Sequence, residues 1–129
     1  MAGRKKRAPV DQILELAINA VLDKKGINPV VLDFRELKGA ICEAFLICHG
    51  QSRVQVDAIT DHVVGEIKKH TGQHPTFVEG QENSEWVLID YFDLVIHIFQ
   101  EPRRKFYNLE QLWADAKIRM ISEEPKTQK

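Results

Sequence analysis

Apolar residues recur along this chain with two periods, and the switches between them lay out a fold. From Asp11 to Lys25, Ile13, Leu16, Ala17, Ala20 and Val21 repeat at helical spacing, and Leu14 and Ile18 widen the stripe. Asp11 in the first turn and Lys24 and Lys25 in the last suit the helix macrodipole, with Gly26 placed for a left-handed C-terminal stop. NPVVLDF (28–34) is a short β-branched run that closes at Asp33 and predicts a strand. EAFLICHG (43–50) is almost continuously apolar, the pattern of a central strand covered on both faces.

Gly50 ends that run, and SRVQ (52–55) has the form of a capping box. In that motif Ser52 accepts from the Gln55 backbone N–H while the Gln55 side chain returns to the Ser52 backbone. Val56, Ile59, Val63 and Ile67 follow at helical spacing as far as Thr71-Gly72. After a loop, GQHP, come a short TFV segment and a polar loop, GQENSE. WVLID and DLVIHIF flank Tyr91-Phe92 and predict two strands in a tight hairpin, with Pro102 at its exit. FYNLEQLW (106–113) predicts a short helix with Asn108 as N-cap, Gln111 at N3, and Tyr107 and Leu112 as a hydrophobic staple. Leu109, Leu112, Trp113 and Ala116 form its apolar stripe.

The order is helix, two strands, helix, three strands and a short helix, which is an α/β layer structure: a small mixed β-sheet flanked by helices. No repeat or linker divides it. The expectation is one domain over residues 9–121, between a disordered basic tail at 1–8 and a disordered tail at 122–129.

With 129 residues, of which 43% are hydrophobic, the chain can bury a core without staples. No segment approaches the roughly 18 apolar residues of a membrane-spanning helix. Cys42 and Cys48 both lie in ICEAFLIC, where strand geometry sets them roughly 20 Å apart. A disulfide needs Cα atoms within about 7 Å, so reduced, buried thiols in a cytosolic protein are expected. The net charge of −1 hides an asymmetry: Arg4, Lys5, Lys6 and Arg7 carry four positive charges, which leaves −5 on the rest of the chain. Such a body suits a basic protein partner better than a phosphate backbone.

Candidate chemistry is thin. His70 and His74 are separated by Gly72 and followed by Pro75, so no helix presents both to one metal ion. Gly50 and Ser52 precede a helix without the glycines or lysine of a phosphate loop. Asp90 and Asp93 flank the predicted hairpin, where turn chemistry alone favours Asp. His97 sits on a strand face with Val95 and Phe99, and no nucleophile accompanies it. The remaining signal is a crowd of aromatics in the last third, Trp86, Tyr91, Tyr107 and Trp113, beside Arg103 and Arg104. Trp, Tyr and Arg dominate protein–protein hot spots.

WVLIDYFDLVIHIF, followed by RKFYNLEQLW, resembles the ribosomal silencing factor family, also called Iojap-like. Asp33, the apolar strand running into Gly50-x-Ser52, and Ala58–Val63 on the following helix agree with it in order. The resemblance covers about residues 11–116. It implies a nucleotidyltransferase-like fold without catalytic acids, and a non-enzymatic factor needing no cofactor, metal or small-molecule substrate. The implied partner is the large ribosomal subunit, met at its ribosomal protein numbered fourteen. Occupancy there blocks joining with the small subunit and represses translation under starvation or during late subunit assembly. A minor contact with ribosomal RNA and a homodimer are both compatible with the family, no membrane is involved, and the location implied is cytoplasmic.

The residues that match as a partner-binding patch are Trp86, Asp90, His97, Arg103, Tyr107, Glu110 and Trp113. Trp86 is the expected aromatic anchor. Asp90 and Glu110 are expected to meet basic groups, and Arg103 an acid or nearby RNA. Tyr107 and Trp113 are expected to support the surface from behind. One residue departs from the family pattern: Phe92 stands where members usually have Gly, and a left-handed backbone there would cost about 1–2 kcal/mol. Two other readings are a divergent nucleotidyltransferase using Asp90 or Asp93, which nucleotide binding with magnesium would support, and an RNA-binding module led by the basic tail. Steep salt dependence, lost on deleting residues 1–8, would support the last.

Overall fold

The structure is a computed structural model and describes residues 8–122. Of the tails expected at 1–8 and 122–129, residues 1–7 and 123–129 lie outside the described residues. Ala8, expected in the tail, belongs to the folded part: it packs against the core and its N–H donates to Gln73 Oε1.

Ten elements follow one another: α1 (Val10–Asp23), β1 (Ile27–Asp33), β2 (Ala44–Gly50), α2 (Arg53–Thr71), β3 (Phe77–Glu79), β4 (Trp86–Asp90), β5 (Leu94–Gln100), α3 (Glu101–Tyr107), α4 (Leu109–Leu112) and β6 (Lys117–Met120). The strands form one mixed sheet in the order β3-β4-β5-β2-β1-β6, with β2 and β5 parallel and the other pairs antiparallel. β2 is central and all its residues are buried, as its unbroken apolar run predicts.

Helices α1 and α2 cover one face, packing Ile13, Ala17, Val21, Val56, Ile59 and Val63 against Leu46, Cys48, Val87, Ile89, Ile96 and Ile98. The opposite face holds a smaller core, in which Leu32, Phe34, Phe45, Ile47 and Phe99 meet Leu109, Ala116 and Trp113. Side chains on a strand alternate between faces. In β4, Val87 and Ile89 are therefore fully buried, while Trp86, Leu88 and Asp90 are half-buried on the second face.

The helix ends are built partly as expected. Ser52 Oγ accepts the Gln55 N–H at 3.1 Å, a cap that contributes about 1 kcal/mol. The return arm of the capping box is different. Gln55 Oε1 accepts from the Gln51 N–H at 2.7 Å, and Gln55 Nε2 donates to the carbonyls of Lys24 and Lys25. One side chain thus closes the start of α2 and satisfies the end of α1. Gly72 is left-handed and its N–H donates to the Lys68 carbonyl. At the end of α1 the left-handed residue is Lys25 (φ 64°) rather than Gly26. Gly26 serves close packing instead: a Cβ there would stand 2.4 Å from Cγ1 of the fully buried Val21.

The C-terminal part departs most from expectation. Pro102 stands at the hairpin's exit as expected, but it also opens α3, a helix not predicted, in a first-turn position where its missing N–H costs nothing. Asn108 is not a side-chain N-cap: it is left-handed (φ 47°), closes α3 through its N–H to the Arg104 carbonyl, and begins α4. Leu112 is exposed, so it leaves the apolar stripe and forms no buried staple with Tyr107. The strand β6 was not foreseen. It pairs with β1, Leu32 opposite Ile118 and Asp33 opposite Lys117. Cys42 lies before β2 rather than on it and is only half-buried, whereas Cys48 is fully buried, and both thiols are free.

Candidate partner-binding site

On the second face of the sheet α3 lies against β5 and β2, and Leu109 of α4 packs with Leu37, Ala40 and Cys42 on the core there, while Trp86 and Leu88 of β4 are only partly covered and Phe77 and Glu79 of β3 are exposed. Residues directly opposite in antiparallel strands share a face. Phe77 lies opposite Asp90, Glu79 opposite Leu88, and Trp86 opposite Phe99. The open patch therefore mixes Phe77, Leu88 and Trp86 with the acids Glu79 and Asp90. Phe77 is 42% exposed.

At one end of the patch the aromatics form a ledge. The Trp86 ring stacks on Phe99 at 5.0 Å between centroids and 26° between planes, and Tyr107 lies beside it at 4.6 Å. Such pairs add about 0.5–1.5 kcal/mol beyond their buried area. Beneath, Trp86 Nε1–H donates to His97 Nδ1 at 3.1 Å. His97 is 4% exposed, so it enters the site from below, and burial pushes its pKa down to about 4. Phe106, 74% exposed, meets Tyr107 edge-on at 5.0 Å and extends the ledge along α3. Arg103 pairs with Glu85 at 2.9 Å, joining α3 to the residue before Trp86. Beside that pair, Glu85, Gln100, Pro102, Arg103 and Phe106 line a shallow cleft of about 410 Å³.

Asp90 stands at the far end of β4, roughly 13 Å along the strand from Trp86. Its Oδ1 accepts the Phe92 N–H at 2.6 Å, and its carbonyl accepts the Thr76 N–H, so Asp90 holds both the hairpin and β3. The Asp93 carbonyl accepts from Glu43 and Ala44. The Asp90 carboxylate does turn work, and the Asp93 backbone holds the start of β2. Phe92 between them is left-handed (φ 76°), the conformation that favours Gly, and its ring is 63% exposed. Cys42 lies close enough to Asp90 and Asp93 to feel their charge, but burial is the larger cause of its thiol pKa rising to about 11. It is a poor nucleophile.

Glu110 and Trp113 sit away from the ledge. Glu110 Oε2 accepts from Arg104 at 2.7 and 3.2 Å, so its carboxylate is turned inward. Trp113 is half-buried, meeting Phe34 at 5.2 Å and Phe45 at 6.2 Å. Phe45 then touches the His97 ring at 4.4 Å, so Trp113 reaches the ledge only through the core. The structure thus gathers Trp86, His97 and Tyr107 into one cluster, sets Arg103 at its rim and Asp90 at the far end of the same open face. Phe77, Leu88 and Phe106 were missed. The pairing of β3 with β4 brings Phe77 in; a helix starting at Pro102 was the available signal for Phe106.

Among the described residues, no group of three His, Cys, Asp or Glu is placed to hold a metal ion, and His70 pairs with Glu66 at 3.4 Å. No described helix is long and apolar enough to cross a membrane.

Residues 7–129 match the family model described as "Ribosomal silencing factor during starvation". The chain belongs to the ribosomal silencing factor family. It is 44% identical over 105 residues to the ribosomal silencing factor RsfS of Halalkalibacterium halodurans, covering 81% of this chain and 88% of that one. The RsfS of Bacillus subtilis is 37% identical over 106 residues, 82% of this chain and 88% of its own length. Among solved structures, the X-ray structure of a Chromobacterium violaceum protein superposes with a TM-score of 0.77 at 33% identity, covering 83% of this chain and 88% of that one. The family is a regulatory one.

Proposed function

We propose that the chain docks on the large ribosomal subunit, at its ribosomal protein numbered fourteen, and blocks joining with the small subunit by occupying the joining face. The observation that carries this reading is the partly exposed apolar–acidic patch that runs from Trp86 across β4 and β3 in a chain of the silencing family. Trp86 is the anchor at one end, Phe77, Leu88 and Tyr107 extend its apolar surface, and Glu79 and Asp90 set an acidic rim. That rim matches a basic ribosomal protein. Opposite fields speed encounter and disfavour wrong partners. Arg103 and Glu85 satisfy one another at the edge, where partner charges change rates more than affinity.

The mechanism needs occupancy and sterics, with no catalytic step. Interfaces of ordinary stability bury about 1,200–2,000 Å². A dissociation constant near 1 μM, about −8 kcal/mol, is enough to occupy subunits at matching concentrations. The test is co-sedimentation with isolated large subunits, followed by addition of small subunits. The protein is expected to travel with the large subunit and to reduce pairing, and Trp86→Ala to stay folded and lose both effects. A wild-type protein that remains at the top of the gradient overturns the reading.

A further inference from the structure

The geometry points to His97 as a positioning residue for Trp86: it holds the indole in one orientation, so that a partner meets a preformed ring, and does not touch the partner itself. This rests on the open face being the docking surface. An indole nitrogen is a donor only. The 3.1 Å contact therefore requires a lone pair on His97 Nδ1, which places the ring's proton on Nε2 and makes the neutral imidazole the receiving form.

The imidazole is itself fixed. It is 4% exposed, meets Phe45 at 4.4 Å and 67°, and lies nearly parallel to Phe99 at 6.3 Å. Trp86 is then restrained by Phe99 on its face, Tyr107 beside it and His97 at its N–H. His97 Nε2, by contrast, is buried and has no hydrogen-bond partner among the described residues. An unpaired buried N–H lowers stability, and a phenylalanine would fill the position without it. Among the described residues, the one hydrogen bond this ring makes goes to Trp86.

Two consequences follow for recognition. The indole N–H, the only polar group a tryptophan can offer, is already used, so the ledge presents carbon faces and edges. The matching group on the partner is then an aliphatic side chain or the stem and charge of a Lys or Arg, rather than a hydrogen-bond acceptor. And because the ring is ordered before binding, its ordering cost is not charged to the complex, an advantage of several-fold to about tenfold in affinity.

The test begins with a ¹⁵N-labelled wild-type protein, in which a trans-hydrogen-bond ¹⁵N–¹⁵N coupling between Trp86 Nε1 and His97 Nδ1 is expected; its absence overturns the assignment and needs no variant to fold. His97→Phe keeps the ring volume and removes the acceptor, and is expected to weaken binding to isolated large subunits about five- to tenfold. His97→Asn, which can place an oxygen near Nδ1, is expected to recover most of that loss although it packs worse. Affinity and stability then rank the two variants in opposite orders, which a merely structural role would not produce. Equal affinity of His97→Phe and wild type overturns the proposal. If wild type binds no subunits, the docking reading fails separately. Positioning is then decided by nuclear Overhauser contacts from the Trp86 ring to Phe99 and Tyr107 in His97→Phe: averaged contacts support it and unchanged ones overturn it.

Discussion

Arg104 and His49 meet at 2.9 Å, Nη1 to Nδ1, in a buried junction between α3 and β2. The same guanidinium donates to the Ile27 carbonyl and grips Glu110 through Nε and Nη2. It ties β1, β2 and the α3–α4 corner to one planar fork. Arg104 is 8% exposed, and removing it takes the charge away from the Glu110 carboxylate and the donor away from His49 Nδ1 and the Ile27 carbonyl. Arg104→Met is expected to lower stability by about 3 kcal/mol, read from urea midpoints. Arg104→Lys keeps the charge without the fork and should fall between. A Met variant as stable as wild type would show that the junction contributes nothing.

Phe92 occupies a left-handed position at φ 76° in the hairpin turn. Phe92→Gly removes that strain and is expected to stabilise by about 1 kcal/mol after the extra backbone entropy of glycine is counted. Thermal unfolding of the two proteins checks it, and a lower melting temperature for the glycine variant is the contrary result.

Stability should fall on mild acidification, and His97 should be a cause. Its pKa is lowered from 6.5 to about 4 by burial, so between those values the unfolded chain binds a proton that the folded protein refuses. The sign follows: stability is full above about 6.5 and declines as pH drops toward about 4, by roughly 3 kcal/mol from this group. The Asp33 carboxyl, held below its usual range chiefly by its hydrogen bond from Arg35, loses its contribution only at more acidic pH. Chemical denaturation at pH 7 and pH 4.5 on wild type and His97→Phe separates the two: the variant should show a smaller loss, and an equal loss would remove His97 from the account.

Trp113 packs edge-on to Phe34 and Phe45 in the second core. Trp113→Ala is expected to cost about 2–3 kcal/mol of stability, somewhat below the range for a fully buried aromatic because the ring is half-buried. Binding to large subunits should persist at temperatures where the variant is folded. A folded variant that has lost binding would move Trp113 from support to contact.

Much of this architecture is written in local pattern. The unbroken run 44–50 forms the central strand, Ser52 and Gly72 bound α2, and the β4–β5 hairpin stands where its two apolar runs are closest. These features depend on neighbours a few residues away, and short-range backbone chemistry decides them. The family was also legible, because its motifs are contiguous. The candidate site was legible in part: Trp86 and Tyr107 could be named, but not their contact, and Glu110 could be named but not its capture by Arg104.

Tertiary structure alone decided the rest. Every residue of Lys117–Met120 is exposed, so the segment has no burial alternation to read. It becomes a strand because β1 offers an edge of backbone donors and acceptors that need partners. His97 shows the same limit. Its sequence position placed it on a strand face, but only the pairing of β4 with β5 and the packing of Phe45 against its ring put its Nδ1 within reach of the indole. A hydrogen bond between distant segments is a matter of relative position, and relative position is set by how the sheet closes over its core.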